Sequence, residues 1–292
     1  MKIIFLCLLL PLTTFAETNR NYAGVKTFLA QLAAKYPTAA LPFVLGDSDS
    51  GEKIQGLKIG NGPVRTLVVG THHGNEYGST EVALAFAQSI AANPISGQTT
   101  FVIPVLNIGG YNKRDRYEGA STGRRMDPNR DYPGPCGTEG PFSLKSTRAL
   151  ADFVAKEKIV SSATLHTHYP AVVFPWGISS HDLATPYGDI FQQLVEAATL
   201  ESRYQIGNST EVMYPADGTF EDYAYWKHGI WSILFELGFS HSPSEQEIQN
   251  MISVNVPGIR RMLVKAPTTL ARNHAFTGAC DSTLRGLDRH DE

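Results

Sequence analysis

The chain is poor in cysteine, nearly balanced in charge and free of long apolar runs beyond its first residues. Three cysteines in 292 residues are too few for a disulfide scaffold. Lys and Arg number 25 against 28 Asp and Glu, a formal charge of −3. Nucleic-acid binders carry a basic excess, and this chain has none. There is no internal repeat and no Pro/Ser-rich linker, so one large domain is expected. No later run reaches the roughly 20 apolar residues of a membrane span, which leaves no anchor.

What is present begins with "MKIIFLCLLLPLTTFAETNR". Lys2 is a positive start, Ile3 to Leu10 are apolar, and Ala16 is a small residue suited to cleavage. That pattern reads as an export leader over 1–16, followed by a domain over 17–292. The expected location is therefore a periplasm or the outside of the cell. Cys7 lies within the apolar run and not at the cleavage point, which argues against a lipid anchor. Cys136 and Cys280 remain after cleavage. Export permits a bridge between them, and two free thiols fit equally well.

Strand-like and helix-like segments alternate. Helical spacing appears at 25–36, 79–92, 143–158 and about 183–200, and buried strands are expected at 65–72, 99–107, 161–168 and 231–237. In "SPSEQEIQNMI" Ser242 is a candidate cap with Glu245 completing a capping box. The expected fold is α/β: a single domain with a mixed, mostly parallel sheet and helices on both faces. In such sheets ligands bind past the carboxyl ends of the strands.

Three of those ends carry unusual residues. "THHGNEYG" (71–78) places His73 and Glu76 three apart at a strand-to-helix turn. A His nitrogen and a carboxylate at that spacing can converge on one cation, and catalytic zinc takes three protein ligands. Alone, this HxxE fits a solvated polar turn as well. "LHTHYP" offers His166 and His168 as third ligand, and either also fits an ordinary core or surface histidine. Glu236 ends the apolar run "SILFEL".

Four segments together resemble the zinc carboxypeptidase (funnelin) family. They are the HxxE, "MDPNRDYP" (126–133), "HTHYPAVVFPWG" (166–177) and "YPADGTFEDYAYWKHGIWSILFEL" (214–237). The resemblance implies one Zn2+ per chain, held by His73 rather than His72, with Glu76 and His166. It implies that Asp127 orients His73, and that Asn129 and Arg130 hold the free C-terminus of a peptide substrate. Tyr214 would cap the substrate and Glu236 would be the general base. An arginine should stabilise the oxyanion; Arg114, Arg116, Arg124 and Arg125 compete, and Arg116 is favoured.

Glu221, seven residues past Tyr214, falls at the base of the family's side-chain pocket. An acid there implies a Lys, Arg or diamino side chain, with Asp222 and Asp217 adding field or simply solvated. Export and such a pocket together resemble the murein peptide amidases of the family, which act on cell-wall peptides. Two other readings compete: a zinc deacylase of the succinylglutamate desuccinylase and aspartoacylase group, and a non-catalytic wall-peptide binder. The Tyr214 to Glu236 block weighs against the first and the intact Glu236 against the second.

Overall fold

The computed structural model describes residues 17–119, 123–137 and 141–281. The expected leader lies outside the described residues. The chain runs α1 (Tyr22–Lys35), β1 (Ala40–Asp47), β2 (Lys53–Gly60), β3 (Val64–Gly70), α2 (Tyr77–Ala92) and β4 (Gln98–Ile103). It continues with α3 (Ile108–Lys113), the short strands β5 (Glu118–Gly119) and β6 (Arg125–Met126), a 3-10 turn (Pro128–Arg130) and α4 (Lys145–Glu157). Then come β7 (Ser161–His166), β8 (Ala171–Phe174), α5 (Gly188–Ala198), β9 (Gln205–Asn208) and α6 (Ser209–Val212). The described part closes with α7 (Phe220–His228), β10 (Trp231–Glu236) and α8 (Glu245–Lys265).

Eight strands form one sheet in the order β1-β2-β4-β3-β7-β10-β8-β9. The centre, β4-β3-β7-β10, is parallel. Every residue of β7 and β10 is buried, so both faces of the sheet are covered. One layer groups α2, α5 and α8; another groups α4 and α7. Each Leu, Ile or Val buried along these strands stabilises the fold by about 1.5–3 kcal/mol, which is why "SSATLH" and "WSILFE" sit in the middle. Among the described residues no helix is long and apolar enough to cross a membrane.

Three expectations need correction. Strand and helix do not alternate throughout: β1 and β2 pair antiparallel as neighbours near the start. The helix expected from about 183 starts at Gly188; Pro186 disfavours helical backbone at Thr185, the residue before it. The cap of α8 is Ser244, whose hydroxyl accepts from Glu247 N–H while Glu247 reaches back to Ser244 N–H. Ser242 lies two residues short of the cap, and Pro243 sits outside the helix and not in its first turn. Of the two alternatives for the cysteines, the structure has the bridge: Cys136 and Cys280 are disulfide-bonded, 144 residues apart.

Candidate metal centre and substrate cleft

β3, β7 and β10 end side by side, with Gly70 level with Leu165 and Glu236 level with His166. The β3–α2 turn then has to reverse within six residues. Thr71 takes a left-handed backbone (φ 60°), a costly state for a β-branched residue. Its N–H donates to Ser79 Oγ at 3.1 Å and its hydroxyl to the Pro104 carbonyl at 3.1 Å, which hold it there. Gly74 completes the turn. A Cβ at that position would lie 2.0 Å from the backbone of Gly110, so only glycine lets the turn seat on α3. The outcome is a fixed platform carrying His73 and Glu76.

His73, Glu76 and His166 converge, with one ligand atom from each lying within 4.8 Å of the others. All three are buried. Glu76 Oε1 is 2.7 Å from His73 Nδ1, and Glu76 Oε2 is 3.1 Å from His166 Nδ1. The two Nδ1 atoms face each other at 3.3 Å. On the far side of the ring, His73 Nε2 lies 2.9 Å from Asp127 Oδ1. A proton donated there leaves Nδ1 with its lone pair turned inward. Two ring nitrogens and a carboxylate facing one another in a buried space repel unless a cation joins them. Burial opposes a charge on His73, yet Glu76 and Asp127 outweigh it and push its pKa up. A place that draws a proton onto His73 draws a divalent ion in the same way. Nitrogen, nitrogen and carboxylate oxygen suit zinc.

The neighbouring His72 takes no part. It is fully buried against Tyr132, with Nε2 3.2 Å from the phenol oxygen, and desolvation keeps its imidazole well below the ordinary value. His168 lies past the end of β7 and stacks edge-on against His241, ring centroids 4.4 Å apart. His241 was not singled out in the sequence. It follows Glu236 by five residues in an irregular loop, where no spacing rule marks it.

Of the four competing arginines, Arg116 reaches the cluster. Its Nη1 is 3.3 Å from His73 Nδ1 and 3.9 Å from Glu76, while Nε and Nη2 both donate to Asp127 Oδ2. Arg114 turns away, stacked on Tyr77 and Tyr111. Arg125 pairs with Asp115 at the surface, and Arg124 is exposed. Burial opposes ionisation of Asp127, but His73 and Arg116 overcome it and hold its carboxyl well below the usual range.

Glu236 stands beside His166 on the adjacent strand. Its Oε2 is buried without a hydrogen-bond partner. Desolvation pushes its pKa well above the usual range, Glu76 adds to that, and Arg116 opposes it. A partnerless carboxylate costs free energy, so its presence here calls for a reason other than stability.

Arg130 and Tyr214 meet at the rim. Arg130 Nη2 donates to the Tyr214 hydroxyl at 3.4 Å, and Tyr214 is half exposed. The loop bearing Tyr214 is pinned by Gly218 (φ +80°), where a Cβ would lie 2.6 Å from the Arg130 carbonyl oxygen. Asn129 is buried deeper: its Oδ1 accepts from Phe220 N–H at 2.9 Å, and its Nδ2 reaches toward Glu221 at 3.5 Å. Glu221 and Asp222, in the first turn of α7, line a small cleft with Val173, Ser209, Thr219 and Leu234. Thr164 donates to Glu221, a contact with no signal in the sequence. Asp222 accepts from Gly177 N–H. Burial pushes Asp222 well above the usual range, and its charged neighbours Glu221, Asp182 and Asp217 are all acidic. Asp217 lies in the loop, accepting from its own neighbour Gly218 N–H.

A three-ligand cation site at parallel strand ends, with a free carboxylate next to it, defines a metallohydrolase. The zinc carboxypeptidase model (Peptidase_M14) matches residues 25–258, and the chain belongs to that family. Carboxypeptidase B of Astacus astacus is 26% identical over 252 residues, 72% of this chain and 82% of that protein. Human carboxypeptidase D is 22% identical over 289 residues, 85% of this chain. The match spans 21% of human carboxypeptidase D and 63% of human carboxypeptidase B. Bovine thrombin-activatable fibrinolysis inhibitor, solved with tick carboxypeptidase inhibitor, superposes with a TM-score of 0.77 at 18% identity. That match covers 84% of this chain and 96% of the other. Carboxypeptidase A of Helicoverpa armigera gives 0.76 at 17%, covering 85% and 74%.

Proposed function

We propose that the protein is an exported zinc metallocarboxypeptidase that releases a C-terminal residue with a cationic side chain. The carrying observation is the cleft near the metal ligands, whose wall holds two buried acids, Glu221 and Asp222, with Asp182 and Asp217 adding negative field at Asp222. A Lys, Arg or diamino side chain supplies the positive charge such a wall lacks. Together with the export leader, this favours diaminopimelate at the end of a cell-wall peptide.

The residues divide the work. When bound, zinc polarises the scissile carbonyl and acidifies a water. Glu236 accepts the proton of the attacking water and passes it to the leaving amine nitrogen. Arg116 offers its Nη1–H to the negative charge developing on the carbonyl oxygen. Asp127 holds both His73 and Arg116 in place. Arg130, with Tyr214 above it, grips the free carboxylate, while Asn129, expected to share that grip, is buried with its amide turned to Phe220 and Glu221.

Product mass spectrometry on the zinc-loaded mature chain tests this. L-Ala-γ-D-Glu-meso-diaminopimelate and a linear peptide ending in Arg are offered together. Loss of diaminopimelate alone identifies a cell-wall peptidase, and loss of Arg alone a basic carboxypeptidase. If neither is cut and a peptide ending in Phe is, the pocket reading is wrong. Arg130→Ala is expected to raise KM for free-terminus peptides by about 10-fold or more; an unchanged KM removes that role.

A further inference from the structure

The first described residues lie against a buried acid that takes no part in the proposed reaction. Glu81 is on α2, only 4% exposed. Arg20 Nε donates to its Oε1 at 2.8 Å, and Arg20 Nη2 to its Oε2 at 3.3 Å. The backbone N–H of Glu17 points at the same Oε2 from 3.4 Å. Arg114 fixes this backbone from below, donating to the carbonyls of Thr18 and Arg20 at 3.0 and 2.9 Å. Glu17 is also the residue that follows Ala16, the small residue ending the leader pattern.

We propose that removal of the leader at Ala16–Glu17 creates an α-ammonium that seats on the buried Glu81 carboxylate, so that the processed end of the chain becomes a ligand of α2. A leader-removing protease adds one water to that amide. Ala16 leaves with a carboxylate, and Glu17 gains an ammonium where a neutral N–H stood. The ammonium carries three donors and a full charge, and its bond to a buried carboxylate is stronger than that of an amide. The Glu81 carboxylate then has a second charged donor beside Arg20. Glu81 and the Glu17 side chain, 3.6 Å from Arg20, face Arg20 and the new ammonium. Arg114 and the Tyr111 phenol are the other titratable groups facing the site, and burial pushes Tyr111 up to about 12. Burial also pushes the Glu81 carboxyl up against the pull of Arg20, as expected of a site with room for more positive charge. α2 begins directly after Glu76, so processing would brace the element next to a metal ligand.

The test compares the chain beginning at Glu17 with one retaining an acetylated Ala16. The unmodified free amine, followed through the pH dependence of the Glu17 13Cα resonance, should titrate about one unit above the usual ~7.7–8.0 for an α-amine. A raised folded pKa stabilises below the unfolded value and is lost as pH rises through the folded one. The chain starting at Glu17 should therefore melt roughly 2–4 °C higher at pH 7 and equal the acetylated chain by about pH 10. Glu81→Gln should erase the difference. An amine titrating at its ordinary value, equal melting at pH 7, or an exported protein starting at another residue would overturn the proposal. If the Gln variant does not fold, the amine titration decides alone. None of these readouts depends on peptidase activity.

Discussion

Glu76 and Asp127 at one end of the site, and Glu221 and Asp222 at the other, are all acids removed from water, yet their surroundings differ. The first two have basic side chains against them within the protein: the His73 and His166 rings at Glu76, His73 and Arg116 at Asp127. Both carboxyls sit low in pKa because those neighbours outweigh burial. At the second pair, Asp222 is pushed up by burial and then by acids. Under the proposed function, the first pair is scaffolding neutralised within the protein and the second is held for a substrate's positive charge. Glu236 lies between them and belongs to neither, with one oxygen free of partners.

The sharpest way to break this division is at Glu236. Glu236→Gln should lower kcat by about 10³-fold while zinc content stays at one per chain. Loss of zinc along with activity would place Glu236 in the donor set. Next in size is Glu221→Gln, expected to cut kcat/KM for Arg- or diaminopimelate-ending peptides by about 10²-fold, with little change for an apolar ending. Equal losses on both would mean that Glu221 is scaffolding after all. Asp127→Asn should weaken zinc binding roughly 10–100-fold, read by competition with a chromophoric chelator, because the His73 ring loses its orienting acceptor.

The smallest effect concerns Glu118, a buried acid outside both clusters. Burial pushes its pKa up to about 7, with Asp49 and Asp131 adding to this and the Ser146 hydroxyl opposing it. A raised carboxyl pKa means that the folded chain holds a proton the unfolded one has released. Stability from this group therefore falls as pH rises from about 4.5 to 7 and then levels off. Glu118→Gln should be about 3 kcal/mol more stable than the parent at pH 8 and near parity at pH 4.5, by urea unfolding. An identical pH profile in both would show that the fold tolerates an unpaired buried charge without cost.

The sequence made the His73–Glu76 turn visible because a strand, a glycine-bearing turn and a helix follow in twelve residues. His166 was visible only as one of two histidines, and the resemblance of the segment after it made the choice. Arg116 was one of four candidates; position in the fold separates it, because the others stack on tyrosines, pair at the surface or stay in solvent. The β1–β2 hairpin went unseen, since its outer strand is only half buried and lacks a strong apolar period. Contacts such as Thr164 to Glu221 and Glu17 to Glu81 join residues 57 and 64 apart, and no local pattern marks a tertiary partner.

The bridge between Cys136 and Cys280 closes a covalent ring around the second half of the site: His166, Tyr214, Glu221 and Glu236 all lie inside it. His73, Glu76, Asp127 and Arg130 lie on the strand of chain that enters it. If a foreign protease cut once in an exposed loop between the two cysteines, the pieces would stay tied to each other and to the incoming strand. Such a chain would run intact on a gel without reductant and fall into two bands with it. If the enzyme is exported as proposed, that is a form of damage tolerance that packing alone does not provide.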